Sequence, residues 1–216
     1  MTDDNFKVAV VGAGGTGAFY GGALARAGAE VTMIARGPHL EAINKNGLQL
    51  NSVLLGDFLI DCSATDDMSS VDEVDLVIFA VKSWGTDTAI ESMTSGDMVG
   101  ENTIIISTQN GIDSEPLLSK AFGVERVLGC TATVSAMIAE PGVVDQPGGP
   151  GSLVIGEMPA LQNAESTASD RVTALVECCV SAGLAAEAHD NIELALWQKF
   201  IFICALSGMT ALTRKP

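Results

Sequence analysis

Lys7-Val-Ala-Val-Val-Gly-Ala-Gly-Gly-Thr-Gly17 decides how the rest of the chain is read. An apolar, β-branched run empties into glycines spaced G-x-G-x-x-G and then into a helical pattern. A strand ending at Val11 leaves Gly12 for a tight turn, Gly14 for close approach of a pyrophosphate to the backbone, and Gly17 for close packing of the next helix. The free N–H groups and positive dipole end of that helix then face the phosphates. Gly12, Gly14, Gly15, Thr16 and Gly17 are therefore candidate cofactor-binding residues. The same glycine spacing occurs in chains that bind nothing, so its context matters. Val8 to Val11 reads as a buried parallel strand, Phe19 to Ala27 as a helix closed by Gly28, and Glu30 to Ile34 as a second strand.

Working outward, the strand Val31 to Arg36 ends where a dinucleotide fold reads the adenosine ribose. NAD enzymes usually carry Asp or Glu there to hold the 2′-hydroxyl. Here Ala35 and Arg36 occupy the place, and a guanidinium pairs with a 2′-phosphate, which favours NADP; the plain alternative is a solvated turn residue. Leu40 to Asn46 reads as a short helix, Leu48 to Ile60 as a hairpin or irregular edge, and Asp66 to Asp75 as a surface connection. The apolar strand Asp75 to Val81 ends in Lys82-Ser83-Trp84. That edge of an open α/β sheet lines the ligand crevice, so Lys82 is placed to meet a cofactor phosphate or substrate carboxylate, or else is a surface lysine. After a helix at Thr86 to Met93, the strand Thr103 to Thr108 runs into Gln109-Asn110-Gly111, which is either a turn or an amide beside the nicotinamide and the reacting carbonyl. The polar ends of these parallel strands converge on one crevice.

A helix is expected at Ser114 to Phe122 and a strand at Val127 to Val134. Val143-Val144 and Leu153 to Ile155 read as two late strands separated by a Pro/Gly-rich loop, and 163–169 as a linker. Val172, Leu175, Val176, Cys179 and Val180 form one apolar helical face that ends at Gly183. Asp190 is the expected N-cap of a long helix reaching Arg214, with a break at Gly208. Lys199 is the only charge between Glu193 and Arg214, and Ile203, Leu206 and Ser207 share its face. Such a lysine is partly desolvated, which lowers its pKa and suits it to proton transfer; alternatively its stem covers apolar surface while the head reaches water.

The formal charge of −16 and pI near 4.2 disfavour nucleic acid and anionic membranes as partners. No apolar run reads as long enough, free of charge, to cross a bilayer. The acidic Met1-Thr-Asp-Asp-Asn5 does not resemble a secretory leader, so a cytoplasmic protein is expected. The 5 cysteines read as buried thiols. With only 2 histidines, no metal site is expected.

The residues also carry a resemblance. Gly12 to Gly17, Ile34-Ala-Arg-Gly37, Ala80-Val-Lys-Ser83, Gln109-Asn-Gly111, Ala139-Glu-Pro-Gly142, Gly151 to Glu157, and Asp190-Asn-Ile through Leu196-Trp-Gln-Lys199 resemble, in order, the ketopantoate reductase family. The resemblance implies a Rossmann-like, doubly wound, mostly parallel α/β sheet at 1–168, binding NADPH. It is followed at 169–216 by the first helices of a helical substrate domain that is otherwise missing. It implies NADPH-dependent reduction of a 2-oxo acid, ketopantoate to pantoate, with hydride from NADPH and a proton from Lys199. Asn110 would orient substrate and cofactor, Lys82 would help bind both, and Arg36 would face the 2′-phosphate. The family usually has asparagines four and eight residues after the lysine. Here Ile203 and Ser207 stand there, of which Ser207 can still bind substrate, so another 2-oxo acid or ketone becomes an alternative. A catalytically impaired NADP-binding module is a further one. Trp197, Phe200, Phe202 and Leu206 would leave an apolar surface, which implies either a truncated product or a partner subunit, and a homo-oligomer formed through the Asn191 to Thr213 helix is expected.

Overall fold

In the computed structural model, residues 6–161 and 168–214 are described. They form β1 (Lys7–Val11), α1 (Gly15–Arg26), β2 (Glu30–Ile34), α2 (Gly37–Asn46), β3 (Leu48–Ser52), β4 (Phe58–Ile60), β5 (Ser63–Thr65), β6 (Leu76–Phe79), α3 (Thr86–Thr94), β7 (Ile104–Ser107), α4 (Ser114–Phe122), β8 (Val127–Glu140), β9 (Val143–Glu157), α5 (Asp170–Ser181), β10 (Ala185–Ala188) and α6 (Ile192–Thr213). The expected N-terminal pentapeptide and most of the expected linker, 163–167, lie outside the described residues.

The strands make one sheet in the order β4-β3-β9-β8-β7-β6-β1-β2-β5, with β10 also paired to β9. From β5 to β8 every pairing is parallel. Strands buried on both faces need side chains that are apolar at every position, and Val8, Ala9, Val10 and Val11 are all fully buried. Alternation sends Val8 and Val10 into one core with Phe19 and Tyr20, and Ala9 and Val11 into another with Phe79 and Met93. From β1 the sheet extends through β2 and β5 on one side and through β6, β7 and β8 on the other, with β3 and β4 at the far edge beside β9. The reversal of direction at β1 opens a crevice beyond the carboxyl ends of the strands.

The late part of the sheet differs from expectation. The two short strands expected within 143–155 are one strand of 15 residues, antiparallel to a β8 that extends to Glu140. Pro147 and Pro150 cannot donate to a ladder, and the pairing accommodates them through register shifts between Thr133 and Met137. β5 and β10 are short, unexpected strands of small and polar residues with little strand propensity of their own. α1 begins at Gly15 instead of Phe19, because packing on the sheet overrides the poor helix propensity of its glycines.

Of residues 169–216, α5 and β10 share the core and sheet of the preceding part: Val172, Leu175 and Cys179 are buried in the larger core. Arg171 donates to Glu157 at the end of β9 (Nε to Oε1, 2.6 Å), as does the Ser169 hydroxyl (2.6 Å). Burial works to raise the Glu157 carboxyl, but the bonds from Arg171 and Ser169 outweigh it and hold it below the usual range.

α6 is capped by Asn191, not Asp190: Oδ1 of Asn191 accepts from Leu194 N–H at 3.0 Å. The helix passes Gly208 without the expected break. Only Ile192 and Leu196 of α6 are buried, whereas Phe202, Leu206, Met209 and Leu212 are exposed. Cys204 is exposed with them, against the expectation of a buried thiol. By length and composition α6 is also long and apolar enough to cross a membrane, which corrects the sequence reading; Lys199 in its middle hid the run. A helix apolar all round is equally the composition of a core helix.

Candidate active site

The glycine turn sits where the sheet order reverses. Gly12 has φ +101°, and a Cβ there would lie 2.8 Å from Val81 N, so only glycine permits the chain to pass β6 this closely. A Cβ on Gly17 would meet the Gly12 carbonyl oxygen at 2.3 Å, and one on Gly15 the Ala136 carbonyl oxygen at 2.3 Å. Gly14, the N-cap of α1, instead has nothing within 4 Å. Ala13 N–H donates to the Ile34 carbonyl at 2.9 Å, tying the turn to the end of β2.

Two adjoining cavities open here. The larger, about 400 Å³, is lined by Gly12, Gly14, Arg36, His39, Lys82 and Ile138 among others. The smaller, about 190 Å³, includes Thr16, Lys82 and Asn110. Lys82 and the exposed Trp84 border both. Gln109 holds two strand ends together, its Nε2 donating to the Val81 carbonyl at 2.7 Å and to Thr86 Oγ1 at 2.9 Å. Arg36 caps α2 with its backbone and is exposed. His39 Nδ1 accepts from Gly142 N–H at 3.0 Å. Burial holds its imidazole below the usual range, with the Ala13 carbonyl opposing.

The sequence-predicted residues Gly12, Gly14, Thr16, Arg36, Lys82 and Asn110 are thus gathered at one edge of the sheet. Gly15 and Gly17 pack beneath them, Gly15 against β8 and Gly17 against β1. Lys199 and Ser207 line neither of these two cavities. Lys199 is half-buried where α6 crosses β8, and its Nζ donates to the Ala132 carbonyl. Burial lowers its pKa, while Cys130 and Glu115 work the other way. Ser207 is exposed on the uncovered part of α6.

Sequence reasoning passed over Glu115, His39 and the Ala136 to Ile138 stretch of β8. Ser114-Glu115-Pro116 reads as an ordinary acidic first turn of a helix, and nothing local signals that Glu115 is 1% exposed.

The family model "Ketopantoate reductase PanE/ApbA" matches residues 8–160, well over half of the chain. The chain belongs to the ketopantoate reductase family. A curated relative, the 2-dehydropantoate 2-reductase of Pyrococcus horikoshii, is 36% identical over 206 residues, covering 95% of this chain and 64% of the relative. A 2-dehydropantoate 2-reductase from Geobacter metallireducens superposes with a TM-score of 0.86 at 30% identity, over 98% of this chain and 67% of that one. D-mandelate dehydrogenase, solved with NADH and anilino(oxo)acetate, superposes with a TM-score of 0.77 at 25% identity, over 90% of this chain and 60% of its own. This member of the ketopantoate reductase family spans about 64% of the length of the curated relatives it matches.

Proposed function

We propose that the chain is the NADPH-binding and proton-donating part of a 2-oxo acid reductase, with ketopantoate, reduced to pantoate, as the first substrate to try. The observation that carries this reading is the convergence of the glycine turn, Arg36, Lys82 and Asn110 on one strand-end edge in a chain of this family. The site fits a dinucleotide: Gly14 leaves open space at the N-terminus of α1, where backbone N–H groups and the helix dipole favour a phosphate. When bound, such a cofactor supplies a hydride to the carbonyl carbon. In this reading Thr16 and the α1 N-terminus hold the pyrophosphate, Arg36 the 2′-phosphate, and Lys82 a phosphate or the substrate carboxylate. Asn110 orients the carbonyl, Lys199 gives its oxygen a proton, and Ser207 is a substrate contact. In this reading residues 1–168 are the NADP-binding part, α5 and β10 extend its core and sheet, and α6 begins the substrate part.

The relatives support the reductase reading: several are named 2-dehydropantoate 2-reductase, and the D-mandelate dehydrogenase structure, with NADH and anilino(oxo)acetate, supports a nicotinamide dinucleotide. Oxidation of NADPH by the purified chain with ketopantoate and a panel of 2-oxo acids tests the reading. NADPH binding without accelerated oxidation by any of them would reduce the chain to a binding module.

Arg36→Ala tests the cofactor preference separately. Removing a guanidinium that pairs with a phosphate costs about 1.5–3 kcal/mol. NADPH affinity is expected to fall about tenfold or more while NADH affinity stays level. Equal losses for both cofactors would make Arg36 a turn residue only.

The exposed Trp197, Phe202, Leu206 and Leu212, spread round the helix, support association of two copies through α6, since exposed apolar surface of this extent marks an interaction surface. Sedimentation at micromolar concentration is expected to show a dimer or higher oligomer, and Leu206→Glu with Leu212→Glu a monomer. A monomeric parent chain with α6 helical would remove the association.

A further inference from the structure

The chain holds two Asn-Gly pairs, Asn46-Gly47 and Asn110-Gly111, and the fold treats them differently. Asparagine is among the thermolabile residues, and a following glycine brings no Cβ into the path of its backbone nitrogen toward the asparagine side chain. Both asparagines are exposed, so water reaches each of them. Asn46 is the last residue of α2, and Gly47 N–H donates to the Ile43 carbonyl at 2.8 Å. That bond holds the proton that must leave before the nitrogen can attack, and it anchors the nitrogen in the last helical turn. Asn110 instead lies in irregular chain beyond the end of β7, and Gly111 has φ +118°. Among the described residues, neither Gly111 N–H nor the Asn110 side chain has a hydrogen-bond partner. Nucleophile and electrophile are both unrestrained there. Lys82 lines the same cavity of about 190 Å³, and a cation at that place favours the negative charge that the attack develops.

We propose that Asn110 is a self-modification site, converted by deamidation through Gly111. The Gly111 nitrogen, its proton taken by hydroxide, attacks Asn110 Cγ. The Cγ–Nδ2 bond breaks, and ammonia leaves with a proton from water, which regenerates the hydroxide. Water then opens the succinimide ring at either carbonyl, giving aspartate or isoaspartate, with no oxidant or reductant. Either product replaces a neutral amide by a carboxylate, which accepts hydrogen bonds but cannot donate one. Isoaspartate also adds a methylene to the backbone just beyond Gln109, whose amide ties Val81 to Thr86. On the proposed reading of Asn110 as the residue that orients the carbonyl, each conversion ends reduction in that molecule, so the site carries its own clock.

The conversion is read without turnover. The full chain is incubated at mildly alkaline pH and digested, and both Asn-Gly peptides are followed by mass spectrometry, with released ammonia measured alongside. In the folded chain Asn110 is expected to convert about tenfold faster than Asn46, the effect on rate of the hydrogen bond that holds Gly47 N–H. In urea the two are expected to convert at similar rates, which assigns the difference to the fold. Asn110→Gln, whose longer side chain must close a larger ring, is expected to abolish the fast phase of ammonia release. Saturating NADP⁺ is expected to slow conversion at Asn110 and not at Asn46. A ratio of rates in the folded chain equal to that in urea overturns the proposal, whatever the variant does. Faster conversion at Asn110 that NADP⁺ leaves unslowed upholds the modification and removes Asn110 from the cofactor's surroundings instead.

Discussion

Lys199→Ala is expected to lower kcat for ketopantoate reduction by about 10²- to 10⁴-fold, the range that a positioned general acid contributes, with NADPH binding by fluorescence unchanged. The alanine removes the only cation at this crossing of α6 and β8 among the described residues, so in the proposed reaction the oxygen that becomes negative loses its proton source. Burial lowers the pKa of Lys199, and Cys130 and Glu115 oppose the shift. Only the ammonium donates, so the parent rate falls as pH rises through that lowered pKa, and the limb disappears in Lys199→Ala. Lys199→Arg keeps the charge but not a proton that can leave, and it should be nearly as inactive as the alanine. Activity within about threefold of the parent in the alanine variant would place the proton source elsewhere.

Gly17→Ala is expected to carry a large structural penalty together with a loss of cofactor affinity. Its Cβ would lie 2.3 Å from the Gly12 carbonyl oxygen and 2.9 Å from both Ala80 Cβ and Val10 Cγ1. The carbonyl belongs to the turn itself and cannot yield as a flexible side chain would. Relief requires α1 to lift from β1, at about 1–3 kcal/mol for an overpacked core. The same lift carries the N–H groups of the α1 N-terminus away from the phosphates, so NADPH affinity should fall about tenfold as well. Gly14→Ala is the matched control. With nothing within 4 Å, it should melt as the parent does and lose only cofactor affinity. Equal thermal stability of Gly17→Ala and the parent would show that the turn has slack the geometry does not suggest.

What could be read in advance follows from where the information lies. α4 occupies Ser114–Phe122 as the sequence indicates, and the parallel strands announce themselves because burial on both faces demands unbroken apolar runs. The glycine turn is legible because backbone approach leaves no other residue choice. The continuity of β9 was not, since Pro147, Gly148, Gly149 and Pro150 look locally like a loop and only the partner strand shows that bulges absorb them. β10 has almost no signal of its own, and it exists because β9 offers an edge. At the site, strand-end chemistry pointed to Arg36, Lys82 and Asn110. Glu115 did not stand out, because its isolation from water is created by elements distant in sequence. The unbroken, apolar α6 was underestimated for a related reason: one lysine dominated the reading of a helix whose remaining surface is bare.

β8 touches both Lys199 and the glycine turn. Its Ala132 carbonyl receives Lys199, and its Ala136 backbone closes against Gly15 of the glycine turn. Between the two contacts, at about 3.3 Å per residue, the strand works as a gauge block that fixes how far Lys199 stands from the glycine turn. Surface loops absorb inserted residues at little cost. One residue added or removed between Ala132 and Ala136, where the pairing already shifts register, would change that spacing or the bulges that set it. Length variation in this fold is therefore to be sought in its connections, with β8 as the dimension that evolution or design must hold constant.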